Sequence, residues 1–185
     1  MKHLVTFVLG MVLAMGAGAV EYKTIQPEKS KVTFQYKQMG VSMDGHFKKF
    51  VAQLNFDPAK PAAVQALIEI DLASVDAGSS DADDEVVGKS WFNVKAFPKA
   101  TFVAKQIKAT GANQFEVVGV LTLKGKSQDI KFPLKLVTQG NTGVFSGGFV
   151  MRRADFSIGE GMWAKFDVVA NDIQVNFQLT ATSGK

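Results

Sequence analysis

The chain of 185 residues contains no cysteine and only two histidines. The missing cysteines exclude disulfides, zinc–thiolate sites, iron–sulfur clusters and thiol catalysis. Because one histidine is His3, the remaining His46 cannot form a histidine-rich metal site. The acidic residues 81–85 do not match a calcium-binding loop, since no glycine occupies the sixth place and no glutamate the twelfth. We therefore expect neither a metal nor a cofactor.

The first nineteen residues have the pattern of a secretory signal peptide. Lys2 provides a basic start, residues 4–15 are apolar, and the small residues at 17–19 (AGA) suit a signal peptidase. The apolar run is shorter than the roughly 20 residues of a membrane-spanning helix. We expect cleavage after Ala19 and a periplasmic protein, in which residues 20–185 form a single domain.

Basic and acidic residues are mixed along the chain. There are 21 Lys and Arg against 17 Asp and Glu, which gives a formal net charge of +4. A nucleic-acid-binding surface concentrates lysine and arginine along one stripe. Here Lys48-Lys49 and Arg152-Arg153 are the adjacent basic pairs, and the other basic residues are scattered. The charge pattern therefore predicts no nucleic-acid partner.

Apolar residues alternate with polar ones along most of the chain, which predicts β-strands with one buried face. The predicted strands cover residues 21–26, 30–38, 44–57, 65–75, 99–108, 114–124, 128–138, 143–152 and a last segment near 165–181. Because some of these runs will merge, the pattern predicts about eight strands. Pro133 lies inside one of them and requires a bulge or a locally unpaired edge. The residues at 124–127 (KGKS) predict a tight hairpin.

Residues 79–98 interrupt this alternation. Their acidic first turn predicts a short helix at 81–88, capped by Ser80 or Asp81. The expected fold is thus all-β and antiparallel with one short helix. The strands could form either a sandwich or a closed barrel, and composition alone does not separate the two. An eight-stranded barrel can enclose one small or elongated ligand.

Catalytic motifs are scarce in the sequence. No serine lies in a G-x-S-x-G motif. His46, with Asp44 or Asp155 as its partner, is the acid–base pair that an enzyme acting on a lipid or acyl substrate would use. A lone histidine is more often structural or solvated, so we treat the enzyme as an alternative.

Several short motifs, taken together, indicate a known family. They are GHFKKF at 45–50, NFDP at 55–58, WFN at 91–93, FPKATF at 97–102, GVLTLKG at 119–125, RADFSIG at 153–159 and NDIQV at 171–175. The sequence resembles the YceI-like, or polyisoprenoid-binding, family of exported bacterial proteins, and GVLTLKG is the most specific match. Two positions depart from the family pattern. Ser157 replaces the usual glycine, and Lys37-Gln38 stands where many members carry histidine.

This resemblance implies a lipocalin-like antiparallel β-barrel, which favours the barrel over the sandwich. It also implies a carrier, not an enzyme, that holds a long-chain isoprenoid or quinone-type lipid in the barrel pore. Membrane electron-transport proteins are the partners that the resemblance suggests, and pairing of strand edges could form a homodimer. The alternatives are a ligand-free interaction module of the cell envelope and the lipid-modifying enzyme.

If the pore exists, the inward-facing rows of the strands would line it: Phe34, Tyr36, Leu54, Phe56, Ile68, Ile70, Leu72, Phe102, Leu121, Leu123, Phe132, Leu134, Phe149 and Phe177. Residues expected nearer its mouth are Met39, Met43, Trp91, Phe92, Met162 and Trp163. Methionine is flexible enough to adapt to a lipid chain. Arg153 and His46 are expected to touch a headgroup. For each apolar side chain, plain core packing is the alternative role.

Overall fold

The computed structural model describes residues 20–184, so the predicted signal peptide at 1–19 lies outside the described residues. Within that range the alternating segments form eleven strands. They are β1 (Tyr22–Ile25), β2 (Lys31–Gln38), β3 (Val41–Phe47), β4 (Phe50–Asn55), β5 (Gln65–Asp71), β6 (Val75–Asp76), β7 (Lys99–Gly111), β8 (Gln114–Leu123), β9 (Lys126–Gln139), β10 (Thr142–Arg152) and β11 (Asp172–Ser183). One α-helix, α1 (Ser80–Val86), lies between β6 and β7. The all-β class with one short helix is confirmed.

All eleven strands belong to one antiparallel sheet, in the order β4-β5-β7-β8-β9-β10-β11-β2-β3-β6. The sheet curls into a half-barrel, and β1 pairs with β11 beside that path. Tyr22 on β1 also exchanges two backbone hydrogen bonds with Phe56 after β4, at 2.9 and 3.1 Å. This link joins the two sides of the curl at one end. Within residues 20–184, no ladder joins β4 to β3 or β6, so a seam stays open along the other end.

The seam begins where the sequence pattern predicted one continuous strand at 44–57. That prediction was wrong, because the chain bends at Lys48-Lys49 and separates β3 from β4. The amides of both lysines bond to Ser74 instead of to a strand: Lys48 N donates to its carbonyl and Lys49 N to its hydroxyl. In β3 the odd-numbered residues face the interior, and the bend shifts this alternation by one residue, so that the even-numbered ones face it in β4. As a result, Phe47 and Phe50 both face the interior.

Further boundaries differ from the sequence prediction. The predicted strand at 65–75 is divided into β5 and β6 by a 3₁₀ turn at Leu72–Ser74, and the strand predicted at 99–108 extends to Gly111 in β7. The predicted strand near 165–181 begins only at Asp172, because residues 153–171 form 3₁₀ turns and a loop that covers one end of the barrel. The predicted helix at 81–88 runs instead from Ser80 to Val86. Ser79 caps it, since its hydroxyl accepts a hydrogen bond from Ala82 N at 3.3 Å.

Pro133 behaves as the sequence predicted. The β9–β10 ladder ends at the pair Leu134–Gly147, next to the proline, which has no amide hydrogen to donate. On the other side of β9, Pro133 still opposes Glu116 of β8. From this point β10 pairs only with β11, so β9 and β10 diverge. The predicted tight hairpin is also present, with both Lys124 and Gly125 at positive φ.

The interior of the half-barrel divides into two regions. We call one the packed half, which contains the buried residues Tyr22, Phe56, Ile107, Phe115, Val117, Leu136, Phe145, Leu179 and Ala181. Its rings meet edge to face, with centroids 5.3 Å apart for Tyr22–Phe145 and 5.2 Å apart for Phe56–Phe115. We call the other the hollow half, which contains Leu72, Val75, Ala77, Trp91, Phe92, Ala100, Leu121, Leu123, Phe156, Ile158 and Val169.

Candidate functional site

A cavity of about 480 Å³ occupies the hollow half. This volume falls within the range of small-molecule sites, roughly 300–1,000 Å³. Apart from Gln38, Ser79, Asp81, Glu85 and Arg153, every residue that lines it is apolar or aromatic. The cavity therefore suits the apolar part of a ligand far better than a polar molecule.

Four phenylalanines form the floor of this cavity, and we call them the aromatic floor: Phe102, Phe132, Phe149 and Phe177. Phe132 lies at the centre, with its ring centroid 5.4–5.6 Å from those of the other three. Phe132 also belongs to the apolar cluster of the packed half. The aromatic floor thus separates the solid part of the interior from the hollow part.

The cavity stays open because aromatic rings lie against glycines on neighbouring strands. A Cβ built on Gly45 would overlap the ring of Phe34, and one on Gly119 would overlap the ring of Phe102. Phe34 pairs directly with Gly45 across β2 and β3. Since each ring folds onto the wall where a side chain is missing, it does not extend into the centre.

The structure places most of the sequence-predicted pore residues on this cavity. They are Phe34, Tyr36, Ile68, Ile70, Leu72, Trp91, Phe92, Phe102, Leu121, Leu123, Phe132, Phe149, Arg153, Trp163 and Phe177. The inward-facing rows of the strands supply most of them, as the period-two pattern suggested. Their predicted role in binding a ligand stays a prediction.

Six of the predicted residues lie elsewhere. Phe56 and Leu134 are buried in the packed half, and Leu54 packs against it. Met39 and Met162 are 76% and 86% exposed at the mouth end of the molecule. Met43 is half-buried opposite Tyr36 on β3, outside the cavity lining. Strand alternation identifies the inward face but does not say at which height along the barrel the cavity lies.

Several lining residues were missed by the sequence reasoning. They are Val32, Gln38, Phe47, Ala77, Ser79, Asp81, Ala82, Glu85, Val86, Ala100, Met151, Ile158, Val169, Ile173 and Val175. Phe47 was missed because the alternation was extended back from Phe50, and the bend after β3 reverses which residues face the interior. The residues of α1 carry no strand periodicity, so only the packing of the helix against the barrel reveals them. The remaining strand residues continue inward-facing rows whose other members were recognised: Val32, Ala100, Met151, Ile173 and Val175.

Arg153 is 1% exposed and holds the loop that covers the hollow half. Its guanidinium donates to the backbone carbonyls of Ala170, Ile158, Gly159, Trp163, Lys165 and Val169, at 2.7–3.2 Å. The group also lies over the rings of Trp91 and Phe166, at 5.4 and 5.1 Å. Burial lowers the pKa of Arg153. All five of its N–H donors are used, so the predicted headgroup contact finds no free donor there.

Lys124 holds the same loop from the β8–β9 hairpin. Its side chain is 6% exposed, and its Nζ donates to the Ser157 carbonyl at 2.6 Å and to Glu160 Oε2 at 2.8 Å. The lysine lowers the pKa of Glu160 through the hydrogen bond and its charge. The backbone carbonyl of Ser90 accepts hydrogen bonds from the amides of Gly159 and Glu160, both at 2.8 Å. The loop is thus attached to the barrel by hydrogen bonds from two cations and by backbone contacts.

The mouth of the cavity lies beside α1 and the end of β2. The lining residues that are exposed there are Gln38, Ser79, Asp81 and Glu85. Glu85 Oε1 accepts a hydrogen bond from Trp163 Nε1 at 2.8 Å, which links α1 to the covering loop. Deeper in, Tyr36 donates to the Ala77 carbonyl at 2.8 Å. Burial and, second, the charge of Asp83 raise the pKa of Tyr36, so the phenol remains the donor.

His46 lies on the outer face of β3, away from the cavity lining. Asp44 accepts a hydrogen bond from Gln35 at 2.8 Å, and Asp155 forms an ion pair with Arg152 at 3.1 Å. Within residues 20–184, no hydrogen bond joins His46 to either carboxylate, and no cluster of three metal-ligating side chains occurs. The geometry gives no support to the predicted acid–base pair. In the same range no helix combines the length and apolarity that crossing a membrane requires.

Comparison with known proteins identifies the family. The model of the YceI-like domain matches residues 23–181. This chain belongs to the YceI-like family. A UPF0312 protein of Yersinia pestis (strain Pestoides F) is 34% identical over 143 residues, which cover 75% of this chain and 74% of that protein. The resemblance inferred from the motifs is confirmed.

Several solved structures share the fold. Burkholderia cenocepacia BcnA superposes with a TM-score of 0.83 and 42% identity, covering 85% of this chain and 99% of BcnA. The Campylobacter jejuni YceI protein gives a TM-score of 0.69 at 24% identity, covering 76% and 85% of the two chains. A polyisoprenoid binding domain from Saccharophagus degradans gives 0.68 at 17% identity, covering 90% and 99%. The last two similarities show the fold alone.

Proposed function

We propose that this YceI-like protein is a periplasmic carrier that holds the long chain of an isoprenoid or quinone-type lipid in the hollow half. The observation that carries the proposal is the cavity of about 480 Å³ with an aromatic floor and apolar walls. Each buried methylene contributes about 0.8 kcal/mol, so a long tail binds without polar contacts. Membership of the YceI-like family and the name of the Saccharophagus degradans neighbour support the same ligand class.

The alternatives receive less support from the geometry. A ligand-free interaction module would fill its interior with side chains, whereas here one half of the interior is hollow. An enzyme would need a reactive group at the cavity, and His46 faces away from it. Export after cleavage at Ala19, partnership with membrane electron-transport proteins and homodimer formation stay predictions.

Ligand extraction tests the proposal directly. The full chain is expressed, purified from the periplasmic fraction, and extracted with organic solvent for mass spectrometry. We expect a co-purified apolar lipid with a long hydrocarbon chain, and an amino terminus at Val20. Empty extracts from several preparations of folded protein would contradict the carrier.

A matched pair of variants assigns the lipid to the cavity. Leu121→Arg places a charge in the lining, while Val103→Arg places the same charge at a 47%-exposed position outside the lining. We expect ligand occupancy to fall at least about tenfold in Leu121→Arg only, since a buried unpaired charge opposes an apolar guest. If Leu121→Arg does not fold, Ala100→Leu reduces the cavity without adding charge. A folded variant with full occupancy would place the lipid elsewhere.

A further inference from the structure

The mouth of the cavity carries charge of only one sign. Among the exposed residues of the lining, Asp81 and Glu85 are acidic, and Gln38 and Ser79 are neutral. The one cation among the described lining residues is Arg153, whose donors are all engaged by backbone carbonyls. A headgroup at this mouth therefore meets two carboxylates, an amide and a hydroxyl.

The fold brings both acidic residues to the mouth on α1. Asp81 lies in the first turn of α1, which Ser79 caps. Glu85 accepts the hydrogen bond from the Trp163 indole at 2.8 Å. Behind them, Asp83 accepts the amide of Ala77, a lining residue. These contacts fix α1 against the barrel and hold the Glu85 carboxylate at the mouth, while Asp81 is kept near it by its place in the first turn.

We propose that this mouth selects amphiphiles with an uncharged headgroup and discriminates against phosphate, diphosphate and carboxylate headgroups. The inference rests on the proposed function, because the tail must occupy the cavity for the headgroup to reach the mouth. A hydroxyl or carbonyl oxygen can exchange hydrogen bonds with the Gln38 amide and the Ser79 hydroxyl. An anionic headgroup gains no free cation there and is repelled by Asp81 and Glu85.

A second opening offers the opposite charge and defines the competing outcome. A groove along the seam is lined by four lysines, Lys31, Lys48, Lys49 and Lys99, against two acidic residues, Glu69 and Asp71, so its net charge is positive. Lys48 pairs with Asp76 at 3.0 Å and Lys99 with Glu69 at 3.3 Å, whereas Lys31 and Lys49 form no ion pair within residues 20–184. Three apolar residues line both the groove and the cavity and therefore separate them: Val32, Phe47 and Ile70.

The test compares two ligands that share one tail, geranylgeraniol and geranylgeranyl diphosphate. The purified protein is stripped of lipid on a hydrophobic resin, and both affinities are measured by calorimetry at low ionic strength. We expect the alcohol to bind at least about tenfold more tightly, a difference of about 1.4 kcal/mol. The ratio should shrink as salt rises, because exposed charges are screened beyond about 8 Å at physiological ionic strength.

Charge-neutralising variants attribute that ratio to the mouth. In the double variant Asp81→Asn/Glu85→Gln, the glutamine keeps an oxygen acceptor for Trp163, and we expect the ratio to narrow about threefold. Asp129→Asn removes an exposed carboxylate from β9 and should leave the ratio unchanged. If the ratio of the two affinities is the same in the double variant as in the unmodified protein, the inference is overturned.

The remaining outcomes separate the inference from the proposed function. Equal or tighter binding of the diphosphate overturns the headgroup selection. If that binding also falls in Lys31→Gln/Lys49→Gln, the headgroup lies in the seam groove. Failure of both ligands to bind contradicts the carrier itself, whatever the charge at the mouth.

Discussion

The packed half and the hollow half of this barrel are stabilised in different ways. In the packed half, aromatic rings meet edge to face and fill the interior with side chains. In the hollow half, rings lie along the wall and the centre is empty. Two buried cations, Arg153 and Lys124, hold the covering loop there through carbonyl groups. The comparison indicates that hydrogen bonds replace apolar packing where the chain must leave space.

The largest expected effect is the difference in stability loss when one phenylalanine is truncated in each half. Phe56→Ala in the packed half should lower the free energy of unfolding by about 3–5 kcal/mol, since it leaves a buried void. Phe34→Ala at the cavity should cost about 1–2 kcal/mol, because its ring is only partly buried. Guanidinium denaturation followed by circular dichroism measures both. Equal costs would mean that the halves do not differ in packing.

A second prediction concerns the covering loop. Arg153→Met leaves six backbone carbonyls without their donor and should cost about 3 kcal/mol. Its neighbour provides the control, because the exposed Arg152 side chain forms a surface ion pair with Asp155. Arg152→Met should change stability by no more than about 0.5 kcal/mol. Limited proteolysis should cut residues 157–169 faster in the first variant alone, and equal rates would contradict the role assigned to Arg153.

A matched enlargement sharpens the comparison from the opposite direction. Ala181→Leu adds volume to the packed half, where the alanine is fully buried, and should cost about 1–3 kcal/mol. Ala100→Leu adds the same volume to a residue that lines the cavity, and should be nearly neutral in stability while reducing ligand occupancy. Thermal unfolding and lipid extraction report the two effects. A stability loss of similar size in both variants would argue against an empty centre.

The smallest expected effect involves Ser157, one of the two positions at which the sequence analysis expects a departure from the family pattern. Ser157 adopts a left-handed conformation with φ of 54° at the end of the 3₁₀ turn after β10. Ser157→Gly relieves that strain but adds freedom to the unfolded chain, so the two effects nearly cancel within about 1 kcal/mol. Chemical denaturation should show little change. A large loss would mean that the serine side chain has a further contact.

The sequence predicted the strands with clear alternation well, and the irregular segments poorly. The inward rows on β5, β7 and β8 were recognised because period two is a local property of the chain. The break at Lys48-Lys49 was missed, since Ser74, distant in sequence, supplies the hydrogen bonds that produce it. Arg153 was taken for a headgroup contact because its six carbonyl partners come from a loop without periodicity. Hydrogen bonds between segments with no shared periodicity, not local propensity, decided both cases.

In the part of the chain that the structure describes, β4 forms no ladder with the β3–β6 edge, and this has a mechanical consequence. In a closed barrel, hydrogen bonds around the hoop fix its circumference, so the lumen can widen only by breaking them. Here the two edges are tied where the chain bends at Lys48-Lys49 and hydrogen-bonds to Ser74, and by the Tyr22–Phe56 link at the other end, with no ladder between these points. A bulky or branched guest can therefore be accommodated by bowing the two edges apart between these ties, without unpairing any strand.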